Sequence, residues 1–184
     1  MAKFIETPTN FEGLFIIERS LDKDRRGYFE RLFCPFELKT WRGRPVAQVN
    51  HSHTIEKGSI RGLHYQNIPH LDAKFITCIQ GQVLDVALDL RASSPTFGQV
   101  FVAELSAEDH TSILIPEGFA HGFQSLSADV EMLYVHSESY VPSSEAGVNV
   151  FDTTLNIPWK LQPQNISERD LRHPNLSEIE AISV

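Results

Sequence analysis

Arg61, Gly62 and His64 fall close together in the run Gly58-Ser59-Ile60-Arg61-Gly62-Leu63-His64-Tyr65-Gln66. An imidazole is the side chain whose ordinary pKa lets it accept a proton near neutrality, and a guanidinium beside it is a fixed receptor for phosphate or carboxylate. Together they would make a base with an anion clamp. Strict strand alternation opposes this, because it sends Ile60, Gly62 and His64 to one face and Arg61, Leu63 and Tyr65 to the other. The two groups share a site only if Gly62 carries a bulge or twist. A lone histidine on a half-apolar strand is usually a satisfied core or rim residue, so chemistry at His64 requires other polar groups to converge on it.

The elements that must position such groups are short and β-rich. Phe15-Ile16-Ile17 and Tyr28-Phe29 flank a polar loop from Ser20 to Gly27, and residues 34–44, entered at Pro35, suit a short helix. After Pro45, a strand from Val46 to Thr54 puts Val46, Gln48, Asn50 and Ser52 on one face and Ala47, Val49, His51 and His53 on the other. Gln48, Asn50 and Ser52 thus form a polar stripe. Further strands are expected at Phe75–Ile79, Gln82–Leu90, Val100–Leu105, Thr111–Ile115, Gly122–Ser125 and Val130–His136, nearly all ended by Gly, Pro, Asn or Ser. In the last of these Met132, Tyr134 and His136 share a face, so Tyr134 can point inward. The pattern predicts an all-β antiparallel sandwich or jelly roll, followed by a more helical tail from Asn165 to Val184 with Ser167 and Ser177 as N-caps.

The segment Ile115-Pro116-Glu117-Gly118-Phe119-Ala120-His121-Gly122-Phe123 has the Pro-x-Gly-x-x-His form of the second motif of cupins, small jelly-roll barrels, and resembles that motif. Metal-binding cupins supply His-x-His, then Glu, then Gly in the first motif. Read back from Gly81, that spacing puts Lys74 in the carboxylate position, His70 in one histidine position and Ile68 in the other. An ammonium repels a divalent cation, and the remaining histidines lack a third ligand, so the expectation is no metal and no cofactor. A barrel mouth holding His64, Lys74, His121 and the polar stripe suits proton abstraction beside a carbonyl: the imidazole removes the C–H proton and the ammonium stabilises the enolate oxygen. An acid on the far side of the substrate would invert the carbon, and Tyr134 is the candidate. His64 would also need an orienting carboxylate, for which Asp85, Asp89 and Asp170 all qualify by spacing. Asp170 has a purely structural explanation too, since Ser167-Glu168-Arg169-Asp170 looks like a capped helix start.

Several stretches in order, from about residue 12 to residue 174, resemble the dTDP-4-dehydrorhamnose 3,5-epimerase family. They are Asp24-Arg25-Arg26-Gly27-Tyr28-Phe29-Glu30, Gln48-x-Asn50-His51-Ser52, Arg61 to Gln66, Asp85 to Arg91, Ser94-Pro95-Thr96-Phe97-Gly98, Ile115 to Phe123, and Ser167 to Asp170. The resemblance implies a metal-free cupin fold acting on a nucleotide-bound 4-keto-6-deoxyhexose, inverting carbons 3 and 5. It implies His64 as base, Asp170 as its partner, Lys74 as enolate stabiliser and Tyr134 as acid. It also implies that Arg61 pairs with the diphosphate, and that Gln48, Asn50, Ser52 and His121 contact sugar or base. In a strand-exchanged homodimer, Arg26 and Glu30 would reach the neighbour's nucleotide. The chain departs from the family pattern at Asp72, where Gln is usual, at Val135-His136-Ser137, where Lys-Thr-Thr is frequent, at Val49, and at Val150 in place of Trp. Those departures leave open a relative that inverts only carbon 3 or only carbon 5. A sugar-binding cupin without chemistry is the alternative from another class.

Composition narrows the remaining classes. The 184 residues, 41% hydrophobic and 22% charged, have the length of a single domain spanning 1–184. A net charge of -8 with no dense Lys/Arg run argues against nucleic acid as a partner. No apolar run reaches the roughly 18 residues of a membrane span, and the Met1-Ala2-Lys3-Phe4 start lacks a signal-peptide pattern, so a cytoplasmic protein with no membrane partner is expected. Cys34 and Cys78 then read as free thiols.

Overall fold

A computed structural model describes residues 4–184 of the protein. Its strands, in chain order, are β1 (Phe4–Pro8), β2 (Phe15–Arg19), β3 (Leu21–Asp24), β4 (Gly27–Glu30), β5 (Gln48–Thr54), β6 (Ile60–Gln66), β7 (Lys74–Gln80), β8 (Gln82–Asp89), β9 (Val100–Ser106), β10 (Thr111–Ile115), β11 (Phe119–Ser125), β12 (Val130–His136) and β13 (Glu145–Gly147). One antiparallel sheet runs β1-β2-β10-β7-β12-β5 and the other β13-β6-β11-β8-β9, while β3 and β4 form a separate hairpin. Sequence neighbours often lie in different sheets, as β5 and β6 do. That alternation between layers makes a jelly roll of the cupin kind.

Three apolar clusters hold the layers. Ile76 and Cys78 of β7, Val130 and Met132 of β12, Val83 and Ala87 of β8, and Phe119 and Phe123 of β11 fill one end of the space between the sheets. Leu84, Val86 and Leu88 face the other way and are covered by Val148, Val150, Leu155 and Ile182 from the C-terminal segment. Trp41 and Leu38 cover Phe75, Leu114 and Val135 on the outside of the larger sheet. Strand β8 is therefore buried on both faces, which explains why its sequence is nearly continuous in apolar residues instead of alternating.

The predicted strands occur with shifts of a few residues at their ends; β10 and β12 match the expected bounds. Residues 34–44 form no α-helix, only a 3-10 turn at Lys39–Trp41. It stops at Arg42 and Gly43, both at positive φ. The indole Nε1 of Trp41 donates to the Arg44 carbonyl at 2.7 Å, so the segment is folded around a buried tryptophan as a lid on the sheet. The polar loop at 20–27 is instead the β3–β4 hairpin. The tail holds only one helical turn, α1 (Glu168–Leu171), and a 3-10 turn at Leu176–Glu178. Ser167 caps α1 as expected, but Asn175 caps the later turn in place of Ser177. Pro174 forbids a continuous helix, and extended chain lays Ile166, Leu176, Ile179 and Ile182 over the smaller sheet.

Candidate active site

The register of β6 against β11 decides which side chains enter the site. His64 lies opposite His121, but Arg61 lies opposite Phe123, so β6 carries one extra residue between these pairs. Gly62 takes it up at φ +117°, where a Cβ would stand 2.5 Å from the Gly122 Cα and 2.7 Å from the His121 carbonyl oxygen. Only glycine fits that approach. The bulge resets the alternation: Ile60, Leu63 and Tyr65 pack into the outer cluster, while Arg61 and His64 both face the interior.

They face a cavity of about 1110 Å³ at the end of the sandwich not filled by the apolar core. His64, Asp170, Lys74, Tyr134, Arg61, Gln48, Asn50, Ser52 and His121 all line it. Arg26 and Glu30 do not. Arg26 sits in the exposed β3–β4 turn, bonded to Asp24, and Glu30 pairs with Arg19 at 2.9 Å and with His110 at 3.2 Å.

On the smaller sheet, His64 Nε2 lies 2.8 Å from Asp170 Oδ1. The other carboxylate oxygen accepts the Gly62 N–H at 3.2 Å, and the Asp170 N–H donates to Ser167 Oγ at 3.0 Å. Burial works to raise the Asp170 pKa, but the hydrogen bond and charge of His64, with the Gly62 N–H, outweigh it and hold the carboxyl well below its ordinary value. An ionised Asp170 fixes the Nε2–H tautomer and leaves the lone pair on Nδ1. Of the three acids open on spacing, Asp170 is thus the one on His64. Asp85 is bonded to His121, 2.8 Å from its Nε2, and Asp89 is taken up by Arg91, Ser94 and Thr96.

The larger sheet supplies the facing wall. Tyr134, opposite Asn50 on β5, has its hydroxyl 3.3 Å from Ser52 Oγ and its ring edge-on to His121, with centroids 6.2 Å apart. Burial, reinforced by the charge of Asp85, raises the phenol pKa far above its ordinary value and keeps Tyr134 protonated. Lys74 is paired with Asp72 at 3.2 Å. Arg61 donates from Nε to Thr54 Oγ1 at 3.0 Å and from Nη2 to the His53 carbonyl at 3.1 Å, at the exposed side of the cavity.

Several lining residues were not named as site residues on sequence: Asp72, His136, Glu145 and Arg169. For His136 the signal was present, since it shares the inward face of β12 with Tyr134. Asp72 has the same parity as Lys74 two residues later but lies outside the strand. Arg169 Nη2 approaches His64 Nε2 at 3.3 Å and its Nη1 is held by Glu145 at 3.0 Å. Among the described residues, His64, Asp170 and His173 form the grouping whose donor atoms, all within 4.8 Å, could hold a metal ion. The guanidinium of Arg169 beside two of those donors works against a divalent cation there.

The model of the dTDP-4-dehydrorhamnose 3,5-epimerase family matches residues 8–178. The chain belongs to that family. It is an epimerase, 40% identical over 165 residues to a dTDP-4-dehydrorhamnose 3,5-epimerase of Shigella flexneri, with 89% of this chain and 91% of the relative covered. The solved dTDP-6-deoxy-D-glucose-3,5-epimerase of Legionella pneumophila Philadelphia 1, in complex with dTDP-4-keto-L-rhamnose, superposes with a TM-score of 0.90 at 37% identity, covering 97% of this chain and 95% of that one. A 3'-monoepimerase from Streptomyces bikiniensis, in complex with dTDP-quinovose, is similar at 35% identity and a TM-score of 0.85, over 93% of this chain and 87% of that one.

Proposed function

We propose that residues 1–184 act as one domain that converts dTDP-4-dehydro-6-deoxy-D-glucose into dTDP-4-dehydro-L-rhamnose, inverting carbons 3 and 5. The observation that carries this reading is that His64 and Tyr134 stand on opposing sheets and line the same cavity. A base on one side of a sugar ring and an acid on the other are what inversion requires. His64 takes the proton from a carbon next to the ketone. The electron pair left behind moves onto the keto oxygen, where the Lys74 ammonium stabilises it. Collapse of the enolate then takes a proton from Tyr134 on the opposite face, and both groups exchange protons with water before the next turn. Asp170 holds His64 in the required tautomer and stabilises the imidazolium that forms.

Arg61, exposed and fixed through Thr54 and His53, is suited to pair with the diphosphate. Gln48, Asn50, Ser52 and His121 supply donors and acceptors for sugar or base. In the proposed homodimer the β3–β4 hairpin carries Arg26 to the neighbour's nucleotide, with Glu30 at its foot tied to Arg19. Among the described residues no helix is long and apolar enough to cross a membrane, which with two free cysteines agrees with a cytoplasmic location.

A single-carbon epimerase is the second reading, favoured by the likeness to the Streptomyces bikiniensis monoepimerase and by Asp72 and His136 in the cavity. The test is to incubate the protein with dTDP-4-dehydro-6-deoxy-D-glucose, then trap the product with an NADPH-dependent 4-ketoreductase and identify it. The rhamnose nucleotide is expected. A product inverted at one carbon would establish the second reading, and unchanged sugar would point to a binding protein. Light scattering should give the mass of two chains; one chain would remove the dimer.

A further inference from the structure

Asp72 lies just before β7 and is buried, yet its carboxylate is fully engaged. Oδ1 accepts the backbone N–H groups of Ser137 at 3.1 Å and Glu138 at 3.2 Å. Oδ2 is 2.6 Å from His136 Nδ1 and 3.2 Å from Lys74 Nζ. His136 and Lys74 are directly opposite each other in the β12–β7 ladder, so both project into the cavity beside the carboxylate. His136 Nε2 is 3.3 Å from the Asn50 amide nitrogen, and its ring stacks on Tyr134 with 25° between planes and 6.1 Å between centroids. The acid and the imidazole are thus bonded to each other inside the cavity.

We infer that Asp72 and His136 are positioning residues that act through Lys74: the carboxylate aims the ammonium at the keto oxygen, and the imidazole fixes the carboxylate, Asn50 and the Tyr134 ring in one array. The chemistry follows from the bonds. An ammonium on a flexible four-carbon stem has three donors and no preferred direction, so a buried acceptor on a rigid backbone turn selects its orientation. Asp72 is suited to this because burial, which would raise its pKa, is outweighed by the charge of Lys74 and the bond to His136, and it stays ionised. With Nδ1–H given to Asp72, His136 presents Nε2 as acceptor to the Asn50 amide, which orders the polar stripe next to the site.

This rests on the assignment of Lys74 as enolate stabiliser, and a double-mutant cycle separates the two. The readout is the rate of solvent-deuterium exchange at the carbons beside the ketone. Asp72→Asn should slow exchange by roughly 10- to 100-fold with KM little changed, the loss expected when a group at the reaction centre is misaimed by about 1 Å. In a Lys74→Met background, the same Asp72→Asn change should cost nothing more. An equal loss in both backgrounds, or no loss in either, would overturn the inference and leave Asp72 a structural residue. If Lys74→Met alone leaves exchange intact, the role of Lys74 itself fails. Should Asp72→Asn not fold, His136 keeps the question open: His136→Ala should slow exchange several-fold, and His136→Asn, whose amide can still donate to Asp72, should restore it. Equal behaviour of those two variants would also overturn the proposal.

Discussion

His64 and His121 are neighbours across the β6–β11 ladder, and each has Nε2 2.8 Å from an aspartate oxygen. Their surroundings differ. The His64 side chain is 28% exposed and its partner Asp170 comes from the C-terminal turn, with its second oxygen bonded to the Gly62 N–H. The His121 side chain is 7% exposed, and Asp85 lies on the adjacent strand with Oδ1 finding no hydrogen-bond partner among the described residues. In the proposed reaction the two nearly identical pairs would do different work: access would let His64–Asp170 take a substrate proton, and enclosure would keep His121–Asp85 as a fixed polar anchor in the floor. Distance alone would not have told them apart.

The comparison breaks most sharply at His64. His64→Ala should reduce deuterium exchange by about 1000-fold, within the range that a positioned general base contributes, and should also lower stability, because Asp170, 4% exposed, loses the partner that holds it ionised. His121→Ala should lose stability as well but keep far more of the exchange. Leaving the Asp85 carboxylate buried without its partner costs about 3 kcal/mol in urea unfolding, and exchange should fall far less than in the His64 variant. If both variants lose the same activity, the distinction between the pairs is wrong.

Tyr134→Phe tests the facing wall. Abstraction by His64 survives in this variant, so exchange should persist within several-fold while net inversion drops by about 100-fold, the loss expected when one acid is removed. Parallel loss of exchange and inversion would count against Tyr134 as the acid. The smallest effect concerns Asp170 and acid. Its folded pKa lies below the unfolded value of 3.8, so its stabilising contribution is present above that pH and is lost as pH falls toward the folded value. Asp170→Asn should therefore flatten the dependence of unfolding free energy on pH below about 4, measured by urea melts at stepped pH. An unchanged slope would mean that the carboxylate is not held ionised by His64.

Much of this molecule was legible in the chain because strand parity is a local property. Val130–His136 was placed to the residue, and with it the inward direction of Tyr134; the polar stripe of Gln48, Asn50 and Ser52 followed from the same rule. The sharing of a site by Arg61 and His64 was conditional on a bulge at Gly62, and the bulge is there. What parity could not supply was the choice among Asp85, Asp89 and Asp170. That choice depends on the tail folding back across the sheet, a long-range packing event driven by residues such as Ile166 and Ile182. The expected helix at 34–44 failed for a related reason: Trp41 gains more from burial against Phe33 and Phe75 than a short helix offers. The bonding of Asp72 was not legible because its partners, Lys74 and two backbone N–H groups after β12, meet only when β7 and β12 pair.

In the proposed reaction His64 removes the proton and His121, one strand away, does not. Proton NMR of dTDP-4-dehydro-6-deoxy-D-glucose in deuterated water, followed separately at carbons 3 and 5, tests it directly with the wild type, His64→Ala and His121→Ala side by side. Loss of both signals in the wild type and in His121→Ala, with neither lost over the same time in His64→Ala, is the predicted result. Near-normal exchange in His64→Ala, or its abolition in a folded His121→Ala protein, would contradict the account and move the base to the buried pair.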